Sequence, residues 1–318
     1  MSGPLVLAVP SKGRLKDQAE AWLTDCGLPL RAGGGPRGYA ASIDGFEGVQ
    51  VRLASAADIA AALVSGDVHL GVTGEDLLGE LTSPESARVM LLRALGFGRA
   101  DLVVAAPRSW IDVESMADLD DVAHLHLART GSRLRVATKY RVQARAFFAR
   151  QGLAECRMVE SGGATEGAPA AGAAEVVVDI TTSGATLAAN GLKVLSDGVI
   201  LRSQARLAAS LGAGWDADTL GACQRLLGII EARARGRSIA SLTWPGERDG
   251  AARLALRGLA TFGEGGGSDG VIVENSNLFA AAQALAEAAV GPVSVIHPAF
   301  LFEPVSDAGA RLAAALDL

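Results

Sequence analysis

Short runs of β-branched and aliphatic residues alternate with segments of helical spacing along the first two thirds of this chain, and that alternation constrains its fold more than any other feature. LVLAV at 5–9 reads as a strand, and 12–23 has helical spacing. VQVRLA at 49–54 is a second strand, and 58–64 a helix that Gly66 ends. HLGVTG at 69–74 is another strand, with Glu75 and Asp76 opening a further helix. DLVVAAP at 101–107 and RVAT at 135–138 are strands, and 139–150 is a helix. Val176, Val177 and Val178 then make a buried parallel strand, with LAANGLK at 187–193 as the start of a helix. Such alternation predicts a parallel sheet with crossover helices.

The texture changes near residue 238. SIASLTW reads as a strand, GERDGAARLALRG as a helix, and LATFG and DGVIVEN as strands flanking a glycine-rich turn. NLFAAAQALAEAAV is a helix and VSVIHPAFLF a last strand. The order βαββαβ fits a small α+β ferredoxin-like sandwich over 238–318, joined to the rest by a long helix at 216–237.

With 318 residues the chain has room for two or three domains. Aromatic residues are only 4%, so the core must be built from Ala, Val, Leu and Ile. No apolar run is long enough to span a membrane, and the first residues lack the pattern of a signal peptide. Cys26, Cys156 and Cys223 are odd in number and far apart, which argues against a disulfide framework or a structural zinc site. A cytoplasmic protein is expected. The net charge of −6 disfavours a nucleic-acid binder, so any anionic substrate must meet locally placed cations. His69, His124, His126 and His297 show no metal-ligand spacing, although His124 and His126 share a face if their segment is a strand.

The segment EVVVDITTSGATL at 175–187 says most about chemistry. Asp179 ends its strand. Thr181, Thr182, Ser183, Gly184, Ala185 and Thr186 form a small-residue loop entering a helix. Backbone N–H groups and hydroxyls there make either an anion cradle or a plain strand-to-helix turn. The acid is placed for sugar hydroxyls or a magnesium ion. PSKGRL at 10–15 puts Lys12 and Arg14 at a strand end, where two cations suit a polyphosphate, or simply coat a helix start. Arg37 sits in a glycine-rich loop. Gly74, Glu75 and Asp76 fit a ribose or a metal-bound group, or the first turn of a helix; Asp58 has the same ambiguity. Lys139 and Tyr140 follow RVAT and suit a phosphate or a base. Arg129, Arg133, Arg141, Arg145 and Arg150 coat a helix.

In order and spacing, PSKGRL, LGVTGEDLL, LGFGRADLVVA, RVATKY and EVVVDITTSGATLAANGLK resemble the ATP phosphoribosyltransferase family over roughly residues 4–210. The resemblance implies a two-lobed α/β core like that of periplasmic binding proteins. Lobe I would comprise 1–94 and 185–215, and lobe II 95–184. It implies attack by N1 of ATP on C1 of 5-phosphoribosyl 1-pyrophosphate, with loss of pyrophosphate, as the first step of histidine biosynthesis. Thr182, Ser183, Gly184, Ala185 and Thr186 would cradle the 5-phosphate, and Asp179 and Glu166 would hold the ribose. Arg14 and Arg37 would be catalytic, neutralising departing charge. Lys12, Arg14, Gly74, Glu75, Asp76, Lys139 and Tyr140 would bind ATP. Mg2+ would arrive on the substrate phosphates rather than on protein ligands.

Departures from the family pattern are local. Ser55 stands where an arginine is usual, Ala60 where a proline is, and His69 where an aspartate is. Long family members end in a ferredoxin-like domain that binds histidine as an inhibitor and form homo-oligomers, dimers or hexamers, with no nucleic-acid or membrane partner. Two other readings share the motifs: a two-lobed binding or sensor protein without catalysis, and a phosphoribosyltransferase with another nucleophile.

Overall fold

The computed structural model describes residues 3–32, 40–82, 88–245, 249–262 and 271–317. It divides into two compact units, Met1–Trp22 with Leu30–Asp216, and Leu23–Pro29 with Ala217–Leu318. No helix among the described residues is long and apolar enough to cross a membrane.

The first unit holds two mixed sheets. The seven-stranded sheet contains β1 (Leu5–Pro10), β2 (Leu30–Ala32), β3 (Ala40–Ile43), β4 (Val49–Ala54), β5 (Leu70–Gly74), β6 (Val89–Ala94) and β12 (Ala205–Ser210), in the order β2-β3-β4-β1-β5-β12-β6. Strand β1 lies parallel to β4 and β5 at its centre, and β12 runs antiparallel to β5 and β6. Helices α1 (Gly13–Asp25), α2 (Ala56–Ser65) and α3 (Glu75–Leu81) alternate with these strands. Ala8, Ile59, Leu63, Val68, Leu78 and Ala208 close one core between α2, α3 and the sheet.

The five-stranded sheet contains β7 (Ala100–Pro107), β8 (Leu134–Thr138), β9 (Cys156–Glu160), β10 (Val176–Thr181) and β11 (Leu192–Ser203), in the order β11-β7-β10-β8-β9. Its helices are α4 (Met116–Thr130), α5 (Arg141–Arg150) and the short α6 (Ala185–Ala189). Strand β10 is buried on both faces: Val176 and Val178 join the core under α4 and α5, and Val177 joins the opposite core with Leu187 and Leu192. It runs parallel to β8 and antiparallel to β7, so the valine run marks a central strand of a mixed sheet.

Two features differ from the sequence reading. The chain returns to the first sheet at Gln204, not near 185, because β11 pairs along β7 and buries Leu192 and Leu195 before crossing. His124 and His126 lie on helix α4, where residues two apart do not share a face. That helix begins at a capping box between Ser115 and Asp118.

The second unit is built on α7 (Ala217–Ser238) and a four-stranded antiparallel sheet. The sheet comprises β13 (Ile239–Thr243), β14 (Ala260–Phe262), β15 (Val271–Glu274) and β16 (Ser294–Ile296), in the order β14-β15-β13-β16. With α8 (Asp249–Ala255) and α9 (Leu278–Glu287), this is βαββαβ connectivity. The last strand is shorter than VSVIHPAFLF suggests. Pro298 has no N–H for a ladder, and the Leu301 amide bonds to Ala232 of α7 instead. A further helix, α10 (Asp307–Ala315), follows, its first amides held by the buried Glu231 carboxylate at 2.9 and 3.1 Å.

Candidate functional site

The ends of β8 and β10 lie side by side, with Thr138 opposite Val178 in a parallel register. The next residues of the two strands, Lys139 and Asp179, therefore emerge together. Asp179 is half-buried and accepts the amide of Ile180 at 2.9 Å. Burial raises its pKa from the ordinary aspartate range, and the nearby Glu166 charge adds to the rise while Lys139 opposes it. Glu166 sits in a 3₁₀ turn, Thr165–Gly167, entered through Ala164 at φ 46. A left-handed alanine is a strained backbone, and the hydroxyl chain Thr165 to Ser161, 2.9 Å, supports the turn.

Past β10 the backbone turns at Gly184, φ 73, a conformation glycine adopts at little cost. The Thr181 hydroxyl accepts the Gly184 amide at 2.8 Å and so sets the turn. Thr182, Ser183, Ala185 and Thr186 are exposed. No acceptor among the described residues meets the amides of Ser183, Thr186 and Leu187. Those donors and the hydroxyls of Thr182, Ser183 and Thr186 make a neutral surface rich in hydrogen-bond donors. Arg14, exposed near the start of α1 on the other sheet, donates to the Thr182 hydroxyl at 3.4 Å. Lys12, two residues before it, is exposed in the loop after β1. A cavity of about 430 Å³ opens beside Thr182, lined also by Arg99, Asp101, Arg202, Ser203 and Gln204. Sequence reading did not select these residues. They come from both chain crossings between the sheets, and only the fold brings them to one place. Arg37 lies outside the described residues.

Three residues expected to face ATP are engaged elsewhere. Glu75 pairs with Arg206 at 2.8 Å. Asp76 and Tyr140 are buried, 6% and 7% exposed, and bonded to each other: the Tyr140 hydroxyl donates to Asp76 Oδ2 at 2.9 Å. Ser203 donates to Asp76 Oδ1 at 2.7 Å and accepts the Asp76 amide at 3.1 Å. Burial and the Asp76 carboxylate push the Tyr140 phenol far up, so it remains a proton donor. Gly74 is required beside this carboxylate, because a Cβ there would collide with Asp76 Oδ1. Glu80 accepts the amides of Val142 and Gln143 at 2.8 and 3.2 Å, capping α5 from α3. The Gln143 side chain donates to the Asp76 carbonyl at 2.8 Å. Sequence separations of 62–127 residues hide this clasp from any local pattern.

The family-atypical positions also have local partners. Ser55 caps α2: its hydroxyl accepts the Asp58 amide at 3.2 Å and donates to Asp58 Oδ2 at 2.6 Å, which settles Asp58 as a first-turn acid. His69 Nδ1 accepts the Val6 amide at 3.1 Å, and its Nε2 faces the Gly214 carbonyl at 3.2 Å, so the neutral Nε2–H form satisfies both. Among the described residues no three His, Cys, Asp or Glu side chains converge as a metal site.

A family model described as ATP phosphoribosyltransferase matches residues 55–228. An ATP phosphoribosyltransferase of Caulobacter vibrioides (strain NA1000 / CB15N) is 62% identical over 316 residues, covering 99% of each chain. One of Bradyrhizobium sp. (strain ORS 278) is 56% identical over 235 residues, 74% of this chain and 72% of that one. Among solved structures, the ATP phosphoribosyl transferase (HisG:HisZ) complex from Thermotoga maritima is 22% identical, covering 65% of this chain and 87% of that one, with a TM-score of 0.49.

Two outcomes follow from this geometry. Tyr140→Phe leaves Asp76 Oδ2 buried without its donor and should destabilise the protein by about 1–3 kcal/mol, read from urea unfolding; an unchanged midpoint would mean water replaces the phenol at no cost. Asp179 has a folded pKa above its unfolded one. Its contribution to stability is full below 3.8 and is lost as pH rises through the folded value. Asp179→Asn should therefore raise the melting temperature of the free protein at pH 7, with the gain shrinking as pH falls toward 4. A variant less stable than wild type at neutral pH would refute the sign.

Proposed function

This chain belongs to the ATP phosphoribosyltransferase family and catalyses the first step of histidine biosynthesis; on that premise we propose how its site divides the work. The reading rests on one observation: Arg14 from the other sheet meets the Thr182 hydroxyl at 3.4 Å, at the head of the loop that follows the Asp179–Glu166–Lys139 group.

The loop of Thr182, Ser183, Gly184, Ala185 and Thr186 takes the 5-phosphate of 5-phosphoribosyl 1-pyrophosphate through amides and hydroxyls. Asp179 and Glu166 hold the ribose hydroxyls. A half-buried carboxylate whose charge is poorly solvated gains from accepting O–H donors, so the feature that raises the Asp179 pKa also favours the sugar. N1 of the ATP adenine attacks C1 of the ribose, and pyrophosphate departs with the bonding pair. Arg14, Lys12 and Arg37 neutralise the charge that builds on the pyrophosphate and the ATP phosphates. Mg2+ enters with the pyrophosphate as part of the substrate. Lys139 is exposed between the sugar and nucleotide sides. Gly74, Glu75, Asp76 and Tyr140 serve ATP indirectly, by fixing the two sheets that hold it. Catalysis is then mainly positioning plus electrostatic stabilisation of the leaving group.

The βαββαβ unit after α7 is assigned to feedback by histidine, with homo-oligomerisation as dimer or hexamer, and the enzyme to the cytoplasm, in keeping with its three free cysteines.

The purified chain with ATP, phosphoribosyl pyrophosphate and Mg2+ should form N1-phosphoribosyl-ATP and release pyrophosphate. Arg14→Ala should cut kcat/KM by about 10²–10³ while leaving the unfolding midpoint alone, since its side chain is exposed; undiminished turnover would remove Arg14 from the chemistry. Saturating L-histidine should lower turnover and raise the melting temperature of the full chain. If both stay constant, the second unit has another task.

A further inference from the structure

Away from the phosphate loop, α5 and the edge strand β9 enclose a cavity of about 460 Å³ whose rim carries four arginines, Arg133, Arg141, Arg145 and Arg157. We propose that this cavity is a second ligand site that takes a nucleoside monophosphate, the phosphate held by Arg145 and Arg157 and the base laid on the apolar floor.

The chain places these residues together by two periodicities. Arg141, Arg145, Phe148 and Ala149 fall on one stripe of α5: Arg145 follows Arg141 by four, and Phe148 and Ala149 follow Arg145 by three and four. Cys156 and Met158 lie two apart on β9 and share a face of the sheet, while Arg157 between them alternates to the other face and joins the lining at the sheet edge. Among the described residues β9 pairs only with β8, and no other strand covers its outer side. The floor is Phe148, Ala149, Leu153, Cys156 and Met158. Burial pushes the Cys156 thiol up to about 12, so it is neutral and adds no negative charge.

The charge balance selects the ligand. Arg133 reaches Glu155 and Arg141 reaches Glu160, each at 3.6 Å, and Asp120 also lies close to Cys156. Arg145 and Arg157 meet no carboxylate among the described residues. Two arginine forks without partners suit a dianionic phosphate monoester, which accepts bidentate N–H pairs. The volume is that of a small-molecule site, and an apolar floor beside cations matches a base joined to a phosphate. None of the lining residues belongs to the group around Asp179 or to the Thr182–Thr186 loop. The net charge of the chain is −6, so this concentration of arginine is not the general character of its surface.

The test is binding of 5′-UMP, inorganic phosphate and uridine to the full chain by titration calorimetry; a uracil base avoids a site selective for adenine. UMP should bind, and at least tenfold more tightly than either phosphate or uridine. The Arg145→Ala/Arg157→Ala double variant should bind it at least tenfold more weakly, with turnover at saturating substrates unchanged. Both side chains are exposed, and the single variant Arg157→Gln at the strand edge repeats the measurement should the double variant fold poorly. Equal UMP affinity in wild type and variants overturns the proposal. Phosphate binding as tightly as UMP overturns the nucleotide assignment.

Discussion

One buried carboxylate holds the two sheets of the first unit in register. Asp76, at the start of α3, accepts the hydroxyls of Tyr140 from the second sheet and of Ser203 from the end of β11, just before the chain crosses between sheets. An ionised group taken out of water is costly, and here each oxygen has a donor at 2.7–2.9 Å. Removing either donor exposes the full desolvation cost, so the three residues act as a unit. Glu80 and Gln143 extend the clasp to the first turn of α5. The helix that follows Lys139 is thus anchored to the opposite sheet, and the distance between Arg14 and the Thr182 loop depends on that anchor.

At the ligand end the electrostatics run the other way. Asp179 is only partly solvated and has Glu166 as a like-charged neighbour, with Lys139 as partial relief. Such a pair lowers the stability of the protein. The clasp contributes to stability, while the Asp179–Glu166 pair gives some up, and the two lie close to the ends of adjacent strands.

Much of the local structure of the candidate site was legible before the fold. Val176–Val178 announced a strand buried on both faces, and the hydroxyl-rich loop with Gly184 announced a turn with free donors, because both are properties of consecutive residues. Helix α4 was not recognised, although Ser115 and Asp118 spell a capping box and Met116, Leu119 and Ala123 follow helical spacing; the two histidines two apart suggested a strand instead. Strand β11 escaped notice because register shifts near Val199 break its alternation. Ser55 and His69 looked like losses relative to the family pattern. In place they cap α2 and join Val6 to Gly214.

By itself, then, the sequence determined the alternating elements, the hydroxyl-rich loop, the acid near its strand end and the family. These depend on neighbours within a few residues, where periodicity and side-chain type dictate local conformation. Only the tertiary structure decided that Asp76 and Tyr140 are partners in a buried clasp, and that Arg99 and Arg202 stand beside Thr182. It also decided that arginines from α5, β9 and the turn before β8 surround one cavity. Burial and long-range hydrogen bonds are properties of packing, and residues 64 or 127 positions apart carry no local signal that they will meet.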